Sequence, residues 1–275
     1  MVERREILDN PGSERIRKVA GLSRRSARLR SGLTRVEGPQ AVTELLHSAP
    51  QGAVTDLFVT EAGAETRPEL LDFAQSTVSA GGLHIHIISP QVEKVLSDAA
   101  QGWIAVARFE AFPSVPASPE GTLALILPAT QDPGNAGTLI RLADACGAST
   151  VFMGQDCADA TSPKVIRASV GSVFHVPTPR FQDLEAVVAA LRAEGWTIVG
   201  TSLSGDVMLT PVTAATWSDK KVAWVMGNEA HGLDATEESW CDVLVSIPMF
   251  GRAESLNVTS AATLCLWLSA AAQRL

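Results

Sequence analysis

Three short polar loops carry the residue types that could do chemistry in this chain. The first, Asp132-Pro-Gly-Asn-Ala-Gly137, opens a helical pattern that sets Arg141 on one face with Gly137 and Thr138. The second is Gly227-Asn-Glu229, and the third runs from Gly251 to Asn257 and contains Ser255. Each follows an apolar run that reads as a strand, and an α/β sheet builds its sites in the loops at the strands' C-terminal ends. Glycines let a ligand approach the backbone, while amide, hydroxyl, carboxylate and guanidinium groups orient and polarise it. The third loop leads into an apolar helix from Val258, whose first turns are small: Thr259, Ser260, Ala261 and Ala262. A helix N-terminus with free N–H groups is a place to bind something. Plain structural roles stay open to the same residues. Asn135, Ser255 and Asn257 suit N-caps, Arg141 has Asp144 as an ion-pair neighbour, and Glu229 suits a solvated turn.

Short apolar strands interleaved with helices must position these loops. In the second half, strands are expected at 123–127, 151–153, 173–176, 196–199, 222–226 and 243–247. Helices are expected at 136–146, from Ser162-Pro163, at 183–194 and from 258 to about 273. This is the pattern of a mostly parallel sheet. The first half alternates similarly, with strands at 53–59, 83–88 and 103–108 and helices near 41–46, 68–80 and 91–100. Three prolines (113, 116 and 119) mark an extended linker. The expected organisation is therefore residues 1–112, a linker at 113–120, and residues 121–275. No G-x-G-x-x-G, Walker A or G-x-S-x-G sequence occurs, so the common dinucleotide, nucleotide and hydrolase readings lack support.

Net charge is −8, which taken alone argues against a nucleic-acid partner, but the average hides a local reversal. From Arg15 to Arg35 there are eight basic residues (Arg15, Arg17, Lys18, Arg24, Arg25, Arg28, Arg30, Arg35) and no acid. A solvated helix face would account for them, and so would a polyanion partner, since each phosphate contact releases counterions. The halves divide as 13 basic against 15 acidic before Gly121 and 9 against 15 after it, so a polyanion would be gripped by the first half. No apolar run reaches membrane-spanning length, and the charged N-terminus has no apolar core, so neither a membrane span nor a secretory signal is expected. Cys146, Cys157, Cys241 and Cys265 are scattered, which suits reduced thiols in a cytoplasmic protein. His84 and His86 share a strand face without an evident third ligand, so no metal is expected.

Taken together, the three loops resemble the motifs of the SpoU (TrmH-like) RNA ribose 2′-O-methyltransferases of the SPOUT class. The matching stretches are Asp132-Pro-Gly-Asn-Ala-Gly-Thr-Leu-Ile-Arg141, Gly227-Asn-Glu-Ala-His-Gly-Leu233 and 247–262, with the segment 162–171 resembling the family's connecting stretch. The family often has Asn where this chain has Asp132. The first half resembles, more loosely, the L30e-like substrate-binding domain that often precedes this catalytic domain. The whole is similar in architecture to thiostrepton-resistance-type 23S rRNA enzymes. The resemblance implies two α/β domains, a C-terminal trefoil knot, a homodimer and S-adenosyl-L-methionine as cofactor. By position, Thr201, Gly227, Ile247, Met249 and Leu256 match cofactor-holding residues, and Asn135, Arg141, Glu229, Ser255 and Asn257 match the polar catalytic set. The implied activity is methyl transfer to a ribose 2′-hydroxyl, in 23S ribosomal RNA or in transfer RNA. A non-catalytic RNA-binding protein of the same fold and a base methyltransferase stand as alternatives. Arg15, Arg17, Lys18, Arg24, Arg25, Arg28 and Arg30 would contact RNA.

Overall fold

The computed structural model describes residues 7–79, 82–115, 119–228 and 231–275, so the middle of the expected linker, 116–118, lies outside the described residues. In chain order the first elements are α1 (Glu14–Gly21), α2 (Arg25–Ser31), β1 (Leu33–Glu37), α3 (Pro39–Ser48), β2 (Val54–Thr60), α4 (Glu61–Thr66), α5 (Pro68–Ser79), β3 (His84–Ile88), α6 (Pro90–Leu96) and β4 (Trp103–Arg108). There follow β5 (Leu123–Leu127), α7 (Pro133–Ala145), β6 (Val151–Met153), α8 (Pro163–Ala168), α9 (Leu184–Ala193), β7 (Trp196–Thr201) and β8 (Val207–Met208). The last are α10 (Pro211–Ala215), β9 (Lys221–Val225), α11 (Ala235–Ser239), β10 (Val243–Ser246) and α12 (Val258–Arg274). These form two compact units, one of Met1–Ser114 with Asp159–His175, the other of Val115–Ala158 with Val176–Leu275. The segment 159–175, grouped with the second half on sequence grounds, thus packs with the first.

The first unit is a four-stranded sheet in the order β1-β4-β2-β3, with β4 antiparallel to both neighbours and β2 parallel to β3. Phe58, Ile104 and Val106 pack with Ile16, Val19, Val92 and Leu96 to make its core. Strand β1 was hidden in the sequence because its basic and acidic side chains, Arg35 and Glu37, are both buried and neutralise each other at 2.6 Å. Arg167, on α8, adds a second cation to the same carboxylate at 2.7 Å. The strand expected at 173–176 is instead a single 3₁₀ turn, Ser172–Phe174. Val170 and Gly171 both take positive φ (54° and 95°), which reverses the chain before any strand can extend. The apolar run there is buried packing, not a ladder.

The second unit is a six-stranded sheet in the order β6-β5-β9-β7-β10-β8, and every pairing in it is parallel. The continuous apolar β5 (LALIL) is buried at all five positions, as expected of a strand covered on both faces. Ile126, Ile198, Ala223 and Val225 meet Leu184, Val188 and Leu191 of α9 on one side. On α12, Ser269 accepts the indole N–H of the buried Trp224 at 3.0 Å. Because all strands point the same way, the loops after β5, β7, β9 and β10 emerge at one edge.

Candidate functional site

At that edge the three polar loops are tied together by named bonds. Asp132 caps α7 by accepting from the Asn135 N–H at 2.8 Å, with Pro133 at the first helical position. Asn135 is therefore not the cap. Its side-chain oxygen instead accepts from Asn257 Nδ2 at 3.4 Å, joining the first loop to the third. Asn257 also caps α12, its oxygen accepting from Thr259 N at 2.8 Å and Thr259 Oγ1 at 2.6 Å, which relieves Ser255 of that role. In the second loop, Asn228 and Gly232 exchange backbone bonds at 3.0 and 2.9 Å. The Asn228 amide donates to Ala129 O at 3.0 Å, joining the second loop to the first. A Cβ at Gly227 would collide with the backbone of Gly232 and Leu233, so only glycine lets this turn fold back so closely.

Between the second loop, the third loop and the loop after β7 lies a cavity of about 430 Å³. Thr201, Gly227, Ile247, Met249 and Leu256, the five residues matched by position to cofactor holders, all line it, and so does Ser255. Its floor is apolar and rigid, since Met226, Val245 and Val258 are buried. The volume falls within the range of roughly 300–1,000 Å³ typical of small-molecule and cofactor sites. An apolar floor with backbone groups and polar side chains on the surrounding walls suits an adenosine and an amino-acid moiety bound side by side. Three ionisable lining residues were not foreseen: His231, Glu238 and Glu254. His231 and Glu254 stood inside the second and third motifs, whereas Glu238 sits on α11, where nothing in the sequence marked it.

The remaining polar positions distribute differently. Asn135 and Asn257 touch each other but are outside the cavity lining. Arg141 is exposed on α7. Glu229 lies outside the described residues.

The basic stretch divides into exposed and consumed residues. Arg28 is 2% exposed, donates to Leu22 O and Ser23 O at 3.0 and 2.9 Å, and pairs with Asp159 at 2.6 Å. It is an internal tie and leaves the set available to a phosphate. Burial pushes the Asp159 carboxyl up, but hydrogen bonds from Arg28 and Thr161 and the Arg28 charge outweigh this and hold it below its ordinary range. Lys18 pairs with Glu14 on the surface, and Arg15 lies 3.3 Å from His86. Arg17, Arg24, Arg25 and Arg30 are exposed, Arg25 lying 3.6 Å from Asp159. His86, considered with His84 as a metal pair, instead meets Asp56 at 2.9 Å and stacks on Phe58. Among the described residues no group of three His, Cys, Asp or Glu is placed to hold a metal. Nor is any helix among them long and apolar enough to cross a membrane.

Comparison with known proteins follows the same lines. The SpoU rRNA Methylase family matches residues 122–267. A 23S rRNA (guanosine(2553)-2′-O)-methyltransferase of Bacillus subtilis is 38% identical over 143 residues, 52% of this chain and 56% of its own. A 23S rRNA (uridine(2479)-2′-O)-methyltransferase of Streptomyces viridochromogenes is 37% identical over 153 residues, 54% of this chain and 52% of its own. The matched part thus spans little more than half the length of these curated relatives. Among solved structures, an AdoMet-bound rRNA methyltransferase from Sinorhizobium meliloti aligns with a TM-score of 0.79 at 26% identity, covering 97% of this chain and 98% of that one. The SpoU methyltransferase AviRb of S. viridochromogenes, in complex with AdoMet, aligns at 0.75 and 28% identity, covering 94% and 97%. With the second and third motif loops lining one cavity, the first tied to both beside it, and more than half of the chain matched, this protein belongs to the SpoU rRNA methylase family.

Proposed function

We propose that the chain is an S-adenosyl-L-methionine-dependent RNA ribose 2′-O-methyltransferase, acting in the cytoplasm on 23S ribosomal RNA. The observation that carries this is the cavity, lined by all five positions expected to hold the cofactor and walled by the second and third motif loops. Thr201, Gly227, Ile247, Met249 and Leu256 would hold the cofactor, which supplies an electrophilic methyl group when bound. The work left to the chain is to place a ribose hydroxyl in line and accept its developing charge. Ser255 lines the cavity, and the linked Asn135 and Asn257 amides beside it are suited to orient that hydroxyl. Glu229 is retained as a member of this set on motif grounds. Arg141, exposed on α7, would hold the acceptor phosphate and stabilise the alkoxide. A guanidinium with a pKa above about 12 is a poor base, so the proton leaves to phosphate or water.

We also propose that the first unit is an L30e-like RNA-binding domain, working through the exposed Arg17, Arg24, Arg25 and Arg30. The placement of β10 between β7 and the earlier β8 supports a trefoil knot in the second unit. A homodimer would cover Leu264 and Trp267, one turn apart on α12 and 42% and 58% exposed. The test is incubation with labelled methyl donor and total RNA from a strain lacking the gene. A labelled 2′-O-methyl nucleotide in 23S RNA is the expected product. Label in transfer RNA, in a base, or nowhere would each overturn the corresponding part of the reading.

A further inference from the structure

The ionisable side chains among the cavity's described lining residues are Glu238, Glu254 and His231, and the lining contains no lysine or arginine. Neither glutamate forms an ion pair or side-chain hydrogen bond with a described residue. Glu238 is half-buried on α11, and Glu254 stands immediately before Ser255 in the third loop. Two uncompensated carboxylates on the wall of a concave site focus a negative potential into it. A cation in the cavity is attracted by both carboxylates.

We propose that Glu238 and Glu254 make this cavity charge-selective, so that it holds the positively charged methyl donor in preference to its neutral demethylated product. The inference rests on the cofactor reading above and deepens it. The donor carries a sulfonium and an ammonium against one carboxylate, and is net positive. Loss of the methyl group turns the sulfonium into a neutral thioether and leaves the product net neutral. The carboxylates therefore attract the ligand before transfer more than after it. Fresh donor then competes more effectively with product for the cavity. Charge and shape are separable here, because a contribution from shape persists when the carboxylates are neutralised and one from charge does not.

The test is isothermal titration of the full chain with three probes at pH 8, where an ordinary imidazole is neutral. The probes are S-adenosylmethionine, S-adenosylhomocysteine and sinefungin, the last replacing the sulfonium methyl with a charged amine on carbon. In the Glu238→Gln/Glu254→Gln protein, S-adenosylmethionine and sinefungin should bind roughly three- to tenfold more weakly, while S-adenosylhomocysteine is unchanged within about twofold. The Glu238→Asp/Glu254→Asp protein keeps the charges and should keep the discrimination. The difference should also shrink as salt is raised. An equal change for all three probes, or none for any, overturns the proposal while leaving the cofactor reading intact. Failure of the unmutated chain to bind any of the three overturns the cofactor reading and this proposal together.

Discussion

Arg28 offers the sharpest test of how the basic stretch should be divided. Replacement by methionine keeps most of the volume but removes donors to Leu22 O, Ser23 O and Asp159, at 3.0, 2.9 and 2.6 Å. Breaking a buried ion pair by removing one partner costs about 3–5 kcal/mol. The Asp159 side chain, however, is 18% exposed and keeps bonds from Thr161 N and Oγ1 at 3.0 and 2.8 Å, with Arg25 nearby at 3.6 Å. Those groups recover part of the loss, which places the expected cost at about 2–3 kcal/mol. The assay is hydrogen exchange followed on peptides covering α2 and residues 159–168. Protection there should fall roughly 30- to 150-fold, since each 1.4 kcal/mol is about tenfold in an equilibrium constant. RNA affinity measured against salt should keep its slope, because Arg28 reaches no solvent phosphate. A protection loss under about threefold, or a slope reduced by the change, would refute this assignment.

Charge-neutralising Arg17, Arg24 or Arg30 should do the opposite, lowering the slope of log affinity against log salt by roughly 0.7–0.9 per contact with little effect on unfolding. The Asp56 and Asp159 carboxyls sit below their ordinary pKa, burial raising each but hydrogen bonds and nearby cations prevailing. Their stabilising contribution is thus complete above the unfolded-state pKa of about 4 and is lost as pH falls through the lower folded values. Acid titration of stability should show that loss, and Asp159→Asn should flatten it. Gly227→Ala should abolish binding of S-adenosylmethionine, because the added carbon collides with the Gly232–Leu233 backbone; retained affinity would show that this turn can open. Burial pushes the Cys241 thiol up to about 12 and raises Cys265 further, so iodoacetamide at pH 8 should label neither until the second unit unfolds.

The parallel sheet of the second unit was legible because its strands are short apolar runs and its helices start with visible caps. Asp132-Pro133 and Ser162-Pro163 each announce a helix in two letters, and the structure uses both. Two of the cavity's walls were legible as the second and third polar loops, whereas the loop after β7 was marked only by Thr201 through the family resemblance and the first loop does not line it. What escaped were residues whose surroundings reverse their type. Arg35 and Glu37 looked like surface charges and are buried against each other, so β1 went unseen. The run at 173–176 has strand composition, yet the positive φ of Val170 is a tertiary decision that no local propensity reports. Glu238 was invisible for a similar reason: its role is fixed by where α11 lies, not by its neighbours in sequence. Asn135 was legible as important but ambiguous in kind, because Asp132 three residues earlier competes for the same cap.

The position of β10 also sets a schedule. Its partner on one side, β7, ends at Thr201, whereas β10 itself ends at Ser246, about 45 residues later. During synthesis at about 5–20 residues per second, that delay is roughly two to nine seconds. Throughout it the growing chain displays an apolar strand edge with unpaired backbone groups, the kind of surface on which neighbouring nascent chains join. The residues that close this edge are followed immediately by those that line the cavity, Ile247, Met249, Ser255 and Leu256. Protection from aggregation and acquisition of a binding site therefore arrive together, and a chain released before Val243 would have neither.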